Sequence, residues 1–74
     1  MFPNSAQVKQ IREDNPKGRR VELVSMTDPY TTLKPGDQGT VNFVDDAGTI
    51  FVNWDSGSKL GVVYGVDIIK NILN

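Results

Sequence analysis

Five basic side chains crowd the first twenty residues: Lys9, Arg12, Lys17, Arg19 and Arg20. Clustered lysine and arginine can neutralise phosphates and release their counterions, so the chemistry this group points to is polyanion binding. Lys9 and Arg12 are three positions apart and share one side if their segment is helical, while Lys17, Arg19 and Arg20 open a strand. Glu13 and Asp14 dilute the cluster. A second chemistry comes from Phe43 and Phe51, one on each side of a turn. If Val44 and Ile50 pair inward, the two phenylalanines meet on the outer face. There they make a stacking platform for bases or an apolar patch for a protein. A slip of one residue turns Phe43 inward instead, and the sequence leaves both registers open. Tyr30, after Pro29 in a long loop, is a third candidate, because aromatic grooves that bind proline-rich peptides are lined from such a loop. Those grooves also need a tryptophan opening the third strand. The single tryptophan here, Trp54, closes that strand and alternates with Ile50 and Val52, so it reads as core.

Catalysis and metal binding find little material. The chain has no cysteine and no histidine, which removes the usual metal ligands and the commonest general base. No nucleophile stands beside a plausible base, since Ser56 and Ser58 are turn residues. Asp45, Asp46 and Asp55 fall at two adjacent turns, but without the spacing of a calcium loop. Aspartate in tight turns usually bonds its own backbone. The expectation is a non-enzyme without cofactor or metal.

The 74 residues carry a net charge of −1, unevenly spread. Residues 1–20 hold five basic groups against two acidic, and residues 21–74 hold three basic against seven acidic. A basic end on an acidic body can steer a polyanion, or simply keep the chain soluble. The N-terminus lacks the apolar run of a signal peptide, and no stretch nears the ~20 apolar residues of a membrane helix. The expected setting is the cytoplasm, with no membrane contact.

Elements must position these residues. Ser5 is the expected cap of a short helix with Val8 and Ile11 on one face, ended by Asn15-Pro16. Strands are expected over Arg19–Met26, Gly39–Val44, Thr49–Trp54, Lys59–Val63 and Ile68–Leu73. A long loop from Thr27 to Gln38 contains a predicted type II turn at Lys34-Pro35-Gly36-Asp37. Tyr64-Gly65-Val66-Asp67 reads as one 3₁₀ turn. The predicted fold is all-β: a small five-stranded SH3-like barrel (18–74) behind an N-terminal helical arm (1–17). Its last strand pairs with the first, and closure hides the sheet edges.

RVELVSM, DPYT, PGDQGTV, VDDAGTI, VNWDSGS and GVD together resemble a family of small bacterial proteins known as a domain of unknown function, found in phages, plasmids and integrated conjugative elements. The likeness spans Gly18 to Asp67. Phe51 departs from it, since the family often has a polar residue there. More loosely, the turn glycines and core residues are similar to KOW-type domains, which bind RNA or transcription and ribosomal machinery. They are also similar to the peptide-binding barrels of ubiquitin-ligase adaptors. Such likeness carries fold rather than function. The leading expectation is a non-catalytic protein-interaction module, an accessory factor of a phage or mobile element, using Tyr30, Phe43 and Phe51. The alternative is weak nucleic-acid binding through Lys9, Arg12, Lys17, Arg19 and Arg20. The chain is expected to be a monomer or a weak homo-oligomer, with Val8, Ile11 and the phenylalanines as the self-association surface.

Overall fold

The structure is a computed structural model that describes residues 3–72. Asn4, rather than Ser5, caps helix α1 (Ser5–Asp14). The Asn4 side chain accepts from the Gln7 N–H at 2.8 Å, and Gln7 Oε1 accepts from the Asn4 N–H at 2.9 Å. This reciprocal box satisfies two otherwise orphaned donors, and Asn4 outcompetes Ser5 because only it has Gln7 three residues ahead. Val8 and Ile11 are the buried residues of the helix. At its other end the Asn15 N–H and side-chain amide both donate to the Ile11 carbonyl, at 3.0 and 2.9 Å. Pro16 then forbids another turn.

Strands β1 (Arg20–Ser25), β2 (Gln38–Val44), β3 (Ile50–Trp54), β4 (Gly61–Val62) and β5 (Ile68–Asn71) form one antiparallel sheet in the order β4-β3-β2-β1-β5. The fold is therefore mostly β with one short helix. β5 pairs with β1, as expected. Closure into a full barrel is not found: among the described residues no ladder joins β4 to β5, and the sheet stays open there. The cause is local. The expected strand Lys59–Val63 shrinks to two residues. Leu60 turns its carbonyl to the Trp54 indole N–H at 2.9 Å, and the Val63 N–H goes to the Asp67 carboxylate at 3.0 Å. Backbone groups used this way cannot extend a ladder. The expected 3₁₀ turn at Tyr64–Asp67 is also corrected. It is a hydrogen-bonded turn in which the Val66 and Asp67 N–H groups both donate to the Val63 carbonyl, at 3.1 and 3.0 Å. Gly65 at φ 76° leaves the right-handed region that a 3₁₀ helix requires.

The loop between β1 and β2 folds back on itself. Leu33 is buried in the core, and the predicted type II turn is present, with Gly36 at φ 97° and the Asp37 N–H on the Lys34 carbonyl at 3.0 Å. The core joins Ile11 of the helix to Val21 and Leu23 of β1, Val41 of β2, Val52 and Trp54 of β3, and Val62 of β4. Each such side chain contributes roughly 1.5–3 kcal/mol on burial. Ile11 thus makes the helix part of the same core as the sheet.

Candidate functional site

The β2–β3 hairpin sets the aromatic geometry. Its register skips a residue between Val41 and Phe43, so Asn42 is a bulge. Beyond the bulge Val44 faces Ile50, both buried, and Phe43 faces Phe51 on the outer side. The rings stack with centroids 4.7 Å apart and planes at 15°. Phe51 is half-buried and lies against Gly61, where a Cβ would come within 3.3 Å of its ring. Phe43 rests on that anchored ring and is 50% exposed. The hairpin tip is tied by Asp45, whose Oδ1 accepts from the Ala47 and Thr49 N–H groups at 2.9 Å each. Gly48, at φ 82°, completes the tip and touches the helix. A Cβ there would meet Pro3 Cγ at 2.7 Å and Ile11 Cδ1 at 3.2 Å.

Of the five cations, Arg12 and Arg20 are held by carboxylates. Arg12 reaches across to the hairpin, donating to Asp46 Oδ1 at 2.8 Å and to the Val44 carbonyl at 3.3 Å. Arg20 makes a two-pronged pair with Asp55, at 2.8 and 2.6 Å, and also donates to Thr40 Oγ1 at 3.0 Å. The Arg20 hydrogen bond holds the Asp55 carboxyl below its ordinary range, and Asp55 in turn raises the Arg20 guanidinium. Lys9 and Lys17 are exposed and Arg19 half-buried, with no carboxylate in salt-bridge reach of these three among the described residues. Lys17 does share a shallow cleft of about 340 Å³ with Arg12 and Phe43, lined also by Asn15, Pro16 and Asn42.

Tyr30 is 92% exposed at the tip of the long loop, held there by its N–H on Asp28 Oδ1 at 2.8 Å. Among the described residues stacking joins only Phe43 and Phe51, so Tyr30 is not part of that platform. Trp54 is buried, as its alternation predicted. Among the described residues no group of three or more acidic, histidine or cysteine side chains gathers to hold a metal, and no helix is long and apolar enough to cross a membrane.

Three residues with structural duties escaped sequence reasoning. Asp46 and Asp55 neutralise Arg12 and Arg20 from positions far along the chain, which no local spacing signals. Asp67 clamps two segments, its Oδ1 accepting from the Thr27 N–H at 3.2 Å and its Oδ2 from the Val63 N–H.

An open five-stranded sheet, a docked helix and an exposed aromatic stack define a small mostly-β domain with a built outer surface. The chain belongs to the family described as Domain of unknown function (DUF4314), which it matches over residues 4–72. No curated protein and no solved structure matches it.

Proposed function

We propose that this chain is a non-catalytic binding module of SH3-like architecture that docks a partner protein on the Phe43–Phe51 stack. The observation that carries this is the stack itself: Phe51 is braced against Gly61 while Phe43 stays half exposed on the outer face. A rigid aromatic presented this way loses little conformational entropy on binding and buries a large apolar area. The meander β4-β3-β2-β1-β5, bent by bulges at Asn42 and near Val24, supports the SH3-like reading. Tyr30 is a second, separate contact point in this proposal. The family resemblance supports an accessory role in the cytoplasm of a bacterium carrying a phage or mobile element.

One observation favours a second reading, weak nucleic-acid binding: the cleft that joins Lys17 to Phe43. It ranks lower because Asp46 and Asp55 already neutralise Arg12 and Arg20. Binding by cations falls steeply with salt, whereas apolar docking does not. Capture of partners by the wild type, Phe43→Ser and Lys17→Glu, at low and moderate salt, separates the two. The proposal expects one protein retained by wild type and Lys17→Glu at both salts and lost from Phe43→Ser. Retention of the same protein by Phe43→Ser, or capture of nucleic acid alone, rejects it.

A further inference from the structure

The gap where the sheet fails to close is a groove of about 560 Å³, lined by Ile11, Ile50, Val62 and Ile69, with Asp14 and Asn71 at its sides. That size is typical of sites that enclose a ligand or a short peptide segment. One wall is the outer edge of β5. Arg20 accepts from the Ile72 N–H at 3.0 Å, so even-numbered residues of β5 bond toward β1. Strand alternation then turns the N–H and C=O of Ile69 and Asn71 to the free side. Among the described residues no strand pairs with that edge. Val66 and Ile68, at 46% and 55% exposure, form an apolar rim.

The groove's charge is negative. Lys70 is tied to Glu22 at 3.3 Å and both oxygens of Asp67 accept from backbone N–H groups, which leaves Asp14, bonded by the Gln10 amide at 2.9 Å, as a groove carboxylate with no cation in salt-bridge reach among the described residues. Asp14 also sits at the C-terminal end of α1, where helix carbonyls add partial negative charge. We propose that this groove takes an extended segment of a partner protein, added as a strand to β5, with apolar residues at alternate positions and a lysine or arginine beside Asp14. Backbone pairing supplies the binding and alternate pockets supply the selection. A second copy fits less well. Its own β5 has no free cation to set beside Asp14, since Lys70 is tied to Glu22. The inference does not rest on the Phe43 surface.

The probe is a short synthetic peptide alternating valine and threonine with arginine at each end, titrated into the full chain and followed by amide NMR. Saturable shifts and slowed exchange are expected at Ile69 and Asn71. Methylating the peptide's strand-facing nitrogens should weaken binding about tenfold, and exchanging its arginines for glutamates should weaken it as well. Asn71→Pro removes an outward donor without touching the β1 ladder, and should weaken binding in a chain that still folds. Phe43→Ala should leave it unchanged. Absence of saturable shifts, shifts at Phe43 and Phe51 instead, or indifference to methylation would overturn the proposal. Concentration-dependent dimerisation through β5 without peptide would overturn it in favour of a second copy.

Discussion

Phe43 keeps half its surface in water while its neighbour Phe51 is braced from behind. Its removal should therefore affect binding more than folding. Phe43→Ala is expected to lower stability by about 1–3 kcal/mol, the aromatic pair together with the buried half of the ring, read by urea denaturation. A much larger loss would mean the ring is structural. At the same scale the Arg20–Asp55 pair predicts an acid response. Because Arg20 lowers the folded-state pKa of Asp55, the pair's contribution is present above the ordinary carboxylate range and is lost as pH falls through the lowered value. Asp55→Asn should flatten the fall in melting temperature on acidification, and an unchanged slope would refute the coupling. Trp54 was legible because strand alternation fixes a face. The phenylalanine pair was legible only conditionally, since the bulge at Asn42 that sets its register has no signature of its own. The ion pairs were not legible, because their partners lie 34 and 35 residues apart in sequence.

At the scale of elements, the helix and the β2–β3 hairpin hold each other. Gly48 has a positive φ and no room for a Cβ against Pro3 and Ile11, so two independent penalties meet at one residue. Gly48→Val is expected to cost roughly 1–3 kcal/mol or more and to loosen α1, visible as a joint loss of stability and far-ultraviolet helical signal. Ile11→Ala should cost about 2–5 kcal/mol through a cavity in the shared core. A helix that melts without affecting the sheet would contradict this coupling. Turn chemistry made most elements readable: Pro35-Gly36 gave its type II turn, and Asn15-Pro16 ended the helix. The cap falls on Asn4, one residue before the expected Ser5, and the Asn4-x-x-Gln7 pattern is the signal for it. The shortness of β4 and the form of the Tyr64–Asp67 turn are not written in local propensity, because Leu60 and Val63 commit backbone groups to the nearby Trp54 and Asp67 side chains, Asp67 also reaches Thr27, and Gly65 takes a handedness that propensity does not foretell.

For the whole molecule, charge placement decides between partners. The N-terminal cations look like a polyanion site in one dimension. In three dimensions Arg12 and Arg20 are tied to carboxylates of the acidic body, and the pI is about 5.1. Short duplex DNA is therefore expected to give no saturable amide shifts at Lys9, Lys17 or Arg19 at moderate salt. Saturable shifts that persist there would promote the nucleic-acid reading. The sheet's general order was legible from five runs and their turns. Its open side was not, because closure depends on whether the fourth run keeps its backbone for pairing. The most direct measurement is photo-crosslinking in the native host from benzoylphenylalanine in place of Phe43, with the same probe in place of Val24 as control. A discrete protein adduct from position 43 and none from position 24 is the predicted result. No protein adduct from position 43, or an adduct to nucleic acid alone, would contradict a protein-binding role for the aromatic stack.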